Sequence, residues 1–313
     1  MGKLPLSRAV IHLPEKGTDT SLPRFVITET RAMPRFLLWN MNAGRNVDDE
    51  RRPFGQLLAG LASEHAIDVL LLVECSLPTA RILPQLPGEP GYYVIPGPDR
   101  FRVFARFPPT YMKPIEAPLM SNRLGMWHLT LPLQEDAIVA LVHGLDRRNN
   151  GTAKRELFLS QVVSQVSWAE KKLGHQRTIV AGDFNANPFE PELGSTSGMH
   201  AVMASDLASA EPRRLLDKEY GYFYNPMWTL YGDRQDGQPA GTYYFDGDQP
   251  HEWYWHMLDQ VVVRPVLIPR FPLSSLRIIT GGPSGNLATA GGRPNRKNGS
   301  DHFPIVFDLE LRF

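Results

Sequence analysis

The sequence predicts an α/β fold, and three observations carry the prediction. Aliphatic runs of strand length recur, at Ile67 to Val73 (interrupted only by Asp68) and Ile138 to Val142, too apolar for surface strands and suited to buried ones. Stretches with apolar residues at helical spacing separate them, as in Phe54, Leu57, Leu58 and Leu61. The chain has 313 residues, 42% of them hydrophobic, which is enough for one large layered core.

The elements follow in order. Residues 1–33 are broken up by Thr18, Thr20, Ser21 and Pro23 and read as an extension or added edge strand, leaving 34–313 as one catalytic domain. The first strand is expected over 36–42, entering a turn centred on Gly44, and a helix over 49–64. A buried strand over 67–74 comes next, then short strands at 92–95, 101–107 and 126–131. A strand over 138–143 leads to a helix over 152–172, whose apolar stripe is Leu157, Phe158, Val162, Val163, Val166 and Trp168. Strands at 178–182, 258–263 and 305–311 complete the set. Gly281 to Gly292 reads as a flexible loop; no Gly-Lys-Ser/Thr follows it, so it is no phosphate-cradling P-loop. No internal repeat and no mark of a second domain appear.

Charge narrows the function classes. The chain has 33 basic and 33 acidic side chains, so its net charge gives no general attraction for a polyanion, and any nucleic-acid contact must come from local patches. One such patch exists: 264–300 holds five arginines and Lys297 but no acidic residue, a local charge of +6. Cys75 is the sole cysteine, so no intrachain disulfide forms, in keeping with a reducing compartment. No apolar run approaches the ~20 residues that span a bilayer, and Pro5 and Arg8 interrupt any leader-like stretch near the start. The expectation is a cytoplasmic protein without membrane attachment.

The chemistry lies in where the polar residues fall. Asn40 ends the first strand, Glu74 the second buried one and His143 the third. Asp183 and Asn185 follow the fourth, Asp259 lies in the fifth, and Asp301 and His302 precede the last. Carboxylates and amides at the edge of a buried sheet are costly unless paired or bound to a cation, so six such cases imply one shared rim. Oxygen ligands of this kind suit Mg²⁺ or Mn²⁺; zinc calls for Cys or His groupings, and no His-Glu-x-x-His or paired-cysteine motif is present. Glu74 is the leading metal ligand, with Asp301 and Asn40 assisting, and the histidines suit phosphate binding or proton transfer. The pattern reads as metal-assisted hydrolysis of a phosphate ester.

The blocks Trp39-Asn40-Met41-Asn42, Val73-Glu74, Val142-His143, Gly182-Asp183-Phe184-Asn185, Leu258-Asp259 and Ser300-Asp301-His302, in that order, resemble the endonuclease/exonuclease/phosphatase superfamily across 34–313. The resemblance implies a four-layer sandwich, two mixed sheets face to face with helices outside and the site at one end. It implies that Asn40, Glu74 and Asp301 hold the metal, and that Asp183 orients or deprotonates the attacking water. It further implies that Asn185 positions phosphate or water, that His302 contacts phosphate with its tautomer set by Asp259, and that His143 is a second catalytic histidine. Asn42 stands where some members place an acid, which leaves its metal role open, with substrate contact as the alternative. Arg155, on the helix after His143, reaches either a phosphate or a carboxylate. Arg296 and Lys297, just before Asp301, either hold phosphates or belong to a solvated loop. Trp255, in the aromatic stretch 243–255, either stacks on bases or packs. The function expected is a Mg²⁺-dependent nuclease with nucleic acid as substrate. The alternatives are an enzyme of small or lipid phosphate esters and a catalytically silent binding protein of the same fold.

Overall fold

The computed structural model describes residues 33–42, 54–88, 91–118, 122–233, 236–248, 252–283 and 285–311. The extension expected over 1–33 (all but its last residue), the Gly44 turn and the first turn of the 49–64 helix lie outside them.

Thirteen strands make two sheets, and the chain builds them in turn. It begins the first with β1 (Arg35–Asn40), β2 (Val69–Val73), β3 (Tyr93–Ile95) and β4 (Phe101–Ala105). It then lays down the whole second sheet with β5 (Met112–Pro114), β6 (Leu124–Leu129), β7 (Ala137–His143), β8 (Thr178–Asp183), β9 (Ala201–Val202), β10 (Phe223–Tyr224) and β11 (Asp259–Val263). Finally it returns to the first sheet with β12 (Arg277–Ile278) and β13 (Ile305–Asp308). The strand orders are β12-β13-β1-β2-β4-β3 and β5-β6-β7-β8-β11-β10-β9. In each sheet one central pair is parallel, β1 with β2 and β7 with β8, and the links that join them carry the two long helices, α1 (Phe54–Glu64) and α2 (Thr152–Leu173).

The period-2 alternation of strand side chains decides the layering. On β7, Val139 and Leu141 join the core between the sheets, with Leu38, Leu71 and Phe307 of the first sheet in the same cluster. Their neighbours Ile138, Ala140 and Val142 face the other way, into a second core with Leu159, Val162, Val166 and Ala169 of α2. Both faces are buried, which is why these strands read as unbroken apolar runs. α1 packs on the first sheet, where Phe54 meets Trp39 edge-on at 6.4 Å between ring centres. The result is the expected sandwich of two mixed sheets with helices outside.

Two expectations need correcting. Leu157 was placed in the apolar stripe of α2 but stands 59% exposed, because the buried face runs through Arg155, Leu159, Val162, Val166 and Ala169. The glycine-rich stretch read as a loop contains a small ribbon, Gly281–Gly282 against Gly285–Asn286, and a bridge between Ala288 and Pro294. Glycines hide such pairing because they leave no side-chain alternation to read. No described helix is long and apolar enough to cross a membrane.

Candidate active site

Strand register assembles the site. In the second sheet His143, Asp183 and Asp259 are direct neighbours across β7, β8 and β11, at the end where all three polar residues fall. In the first sheet Asn40 lies beside Val73, and Glu74 follows at once. The two sheets meet here through a hydrogen bond: Asn40 Nδ2 donates to Asp183 Oδ2 at 2.9 Å. His302 comes in from the loop before β13, its carbonyl held by Trp39 Nε1 at 2.9 Å. Local backbone is shaped for this rim. Asn42, Glu74 and Asn185 all take positive φ (38°, 51° and 52°), a conformation non-glycine residues seldom adopt and one that gathers at functional sites.

Every main residue of the expected set is brought together. Asp183 is buried and also accepts from the Asn185 backbone N–H at 2.8 Å and from Asn185 Nδ2 at 3.2 Å. Burial pushes its proton affinity up, to a pKa of about 7, with Asp259 adding to the effect and His302 opposing it. His302 Nδ1 lies 2.7 Å from Asp259 Oδ2. Burial works against its charge, yet the Asp259 carboxylate beside it outweighs that and raises His302 to about 10, so it is an imidazolium at neutral pH. His143 has Nε2 3.4 Å from Glu74 Oε1 and 3.9 Å from Asp183 Oδ2. Burial, with Arg123 and Arg100 close by, drives it down to about 3, so it is neutral. Asp301 is held below the usual carboxylate range despite its burial, by His302, Asn42 and Arg296. Asn42 Nδ2 donates to both of its oxygens at 2.9 Å, and Arg296 Nη2 lies 3.1 Å from Oδ2.

The donor set fits a hard divalent cation. It consists of carboxylates and amides; the Glu74 side chain is 33% exposed, with the neutral His143 ring at 3.4 Å and the Arg100 guanidinium at 4.0 Å. Asp301 already has donors on both oxygens, so Glu74 is the carboxylate better placed to hold such a cation. Away from this rim, His128, Asp136 and His175 also come within reach of a shared ion. There Arg177 pairs with Asp136, and the Arg177 backbone N–H occupies His175 Nδ1 at 3.1 Å. The His175 proton therefore sits on Nε2, toward Asp136, and the trio is satisfied as a hydrogen-bonded group.

Other expected residues fall differently. Arg155 turns under the site: it pairs with the buried Glu192 and donates to the Asn185 carbonyl at 3.0 Å, so of its two readings the carboxylate partner is correct. Trp255 is half-buried and stacks on Phe303 (6.5 Å, 18°), a packing role. Lys297 is exposed, and its backbone N–H donates to Asn295 Oδ1. Among the described residues Phe189, Trp253 and Tyr254 are exposed aromatics, and Phe189 and Trp253 are in edge contact at 5.6 Å. Sequence reasoning missed Arg100, Arg123 and the specific place of Tyr243, whose ring centre lies 4.7 Å from that of His302.

The model of the Endonuclease/Exonuclease/phosphatase family matches residues 37–302. The chain belongs to this family. The Endonuclease/Exonuclease/phosphatase family consists in general of phosphoester hydrolases, typically using divalent metal ions. Among solved structures, the chain is similar to TDP2 from D. rerio complexed with single strand DNA product: 15% identity, 88% of this chain and 98% of that one covered, TM-score 0.53. It is similar to the human Nocturnin catalytic domain with bound sulfate (18%, 89% and 93%, 0.50) and to a protein of the same family from Bacteroides thetaiotaomicron (15%, 90% and 98%, 0.51). At these identities the likeness is one of fold. No curated protein matches the chain.

Proposed function

We propose that this phosphoester hydrolase is a Mg²⁺-dependent nuclease that cuts phosphodiester bonds. The observation that carries the reading is the joint of the two sheets, where buried Asp183 held by Asn40 and Asn185, the His302–Asp259 pair and the half-open Glu74 come together. Asp183, its oxygens held by Asn40 and Asn185, takes the proton of the attacking water as that oxygen bonds to phosphorus and the ester oxygen leaves. His302, its ring fixed by Asp259, donates to a non-bridging phosphate oxygen. Glu74, with Asn40 and Asp301 beside it, is the seat of the cation, which when bound supplies Lewis-acid neutralisation of phosphate charge.

Substrate class rests on the surroundings. Arg123 and Arg296 stand around the rim and offer cationic contacts to a polyanion. Exposed Phe189 and Trp253 offer faces for bases. The solved relative carrying a DNA product supports the same direction.

The test is a Mg²⁺ titration with EDTA reversal on single-stranded DNA, duplex DNA, RNA, bis(p-nitrophenyl) phosphate and soluble phosphomonoesters. Cleavage of nucleic acid, abolished in Asp183→Ala and His302→Ala, is expected. Turnover of monoesters alone would overturn the nuclease reading, and inactivity on all five substrates would point to a silent binding protein. Glu74→Gln is expected to raise the Mg²⁺ concentration for half-activation more than Asp259→Asn does; equal values would remove Glu74 as leading ligand.

A further inference from the structure

Two histidines serve this site, and their Nδ1 atoms face opposite partners. His302 Nδ1 meets Asp259, a carboxylate that can only accept. His143 Nδ1 meets Arg100 Nη1 at 3.1 Å, a guanidinium that can only donate. Arg100 is brought there by register: Phe101 is the partner of Val73, so the residue before it stands across from Glu74. The turn closed by the Phe101 N–H on the Pro98 carbonyl presents it.

We propose that Arg100 is a positioning residue that locks His143 in the tautomer carrying its single proton on Nε2, making His143 a fixed hydrogen-bond donor to the phosphate and not a base. A neutral imidazole has one donor and one acceptor nitrogen. With Nδ1 committed to accepting from Arg100, the Nε2–H points between Glu74 Oε1 (3.4 Å) and Asp183 Oδ2 (3.9 Å). Both distances are too long for a firm hydrogen bond, so the proton stays available to a substrate oxygen entering there. The backbone that carries the ring is also anchored. The His143 N–H donates to the Arg123 carbonyl at 2.9 Å, and Arg123 Nη1 donates to the His143 and Gly144 carbonyls at 3.2 and 2.8 Å. This leaves Asp183 as the only group of the pair able to receive the water proton. The inference rests on the hydrolase reading for its consequence, though not for its geometry.

The experiment reads the tautomer directly. Metal-free protein labelled with ¹⁵N-histidine is examined by long-range ¹H–¹⁵N correlation at neutral pH, with His143→Gln identifying the signal. Wild type is expected to show Nε2–H. Arg100→Glu, which can only accept, is expected to switch His143 to Nδ1–H, and Arg100→Lys, which can only donate, to retain Nε2–H. The signals of His128, His175 and His200 report whether each variant is folded. On bis(p-nitrophenyl) phosphate at saturating Mg²⁺, Arg100→Glu is expected to lose roughly 100-fold in kcat with KM little changed, the size of losing one transition-state donor. Arg100→Lys is expected to recover most of that loss. An Nδ1–H or doubly protonated His143 in wild type overturns the proposal. So does an Arg100→Glu protein whose tautomer is unmoved, or one that switches tautomer with kcat intact. An inactive wild type with the expected tautomer would instead tell against the hydrolase reading.

Discussion

Gly182 precedes Asp183 on β8 and has φ +149°, and a Cβ added there would lie 1.9 Å from the Val142 carbonyl oxygen and 2.8 Å from its carbon. Those atoms are backbone of the neighbouring strand β7, so no side chain can swing aside. Gly182→Ala therefore incurs two separate costs. Forcing an L-residue into a glycine-only conformation costs about 1–3 kcal/mol, and overpacking against rigid backbone about 1–3 kcal/mol more. A loss near 4 kcal/mol is a large part of a typical domain stability of about 5–15 kcal/mol. For a domain of roughly 280 residues, unfolding entropy of about 0.6 kcal/mol per degree turns that into a fall in Tm of about 7 °C. Gly174, the C-cap of α2, is the internal comparison: φ is +75° and nothing lies within 4 Å of its would-be Cβ. Gly174→Ala then bears the conformational term alone, about 1–2 kcal/mol. Urea unfolding of the two variants beside wild type measures both. A Gly182→Ala protein within about 1 kcal/mol of wild type, or no worse than Gly174→Ala, would refute the steric account of this position.

Glu192→Gln leaves buried Arg155 without its counter-charge and should cost about 3–5 kcal/mol in urea unfolding, whereas Arg155→Met with Glu192→Met should cost much less; a single variant no worse than the double would contradict this. Asp136 is drawn down to about 2, since His128, Arg177 and His175 together outweigh a burial term that works the other way. A depressed carboxylate stabilises the fold above its ordinary value of 3.8 and loses that contribution as pH falls through about 2. The stability gap between wild type and Asp136→Asn should therefore be full above pH 4 and shrink toward pH 2, and a pH-independent gap would tell against the shift.

What the sequence made legible was the residues that violate the expected pattern. Asn40, Glu74, His143, Asp183 and Asp259 stand out because each interrupts or ends an apolar run where a polar atom is costly, and their convergence follows from strands of similar length running to one edge. Residues whose role depends on a partner far along the chain stayed hidden. Arg100 carries no local signal; only the antiparallel register of β2 with β4 sets it opposite Glu74. Arg155 and Glu192 join a helix to the loop after Asn185, and His128, Asp136 and His175 meet only once three segments are in place. The two-residue strands β9, β10 and β12 are too short to show any period.

The two sheets divide the labour in a way that ties catalysis to packing. The second sheet supplies His143, Asp183 and Asp259 as one row, while the first supplies Asn40 and Glu74. Neither set is complete alone; the Asn40–Asp183 and His302–Asp259 hydrogen bonds and the approach of His143 to Glu74 join them, and Trp39, the neighbour of Asn40 on β1, holds the His302 carbonyl. Trp39 is fully buried on the other face of β1, where it touches Phe54 of α1. The spacing of the strand-borne groups is thus set by how the sheets pack, while His302 is fixed from its loop by Asp259 and Trp39. A site of this kind is positioned before substrate arrives, which is where electrostatic stabilisation gains its advantage over water. Within it the same residue type is given two opposite tasks by its neighbours: His302 is charged beside Asp259, and His143 is neutral beside Arg100. In the proposed mechanism only His302 of the two histidines brings charge to the phosphate, and Asp183 is left as the proton acceptor between them.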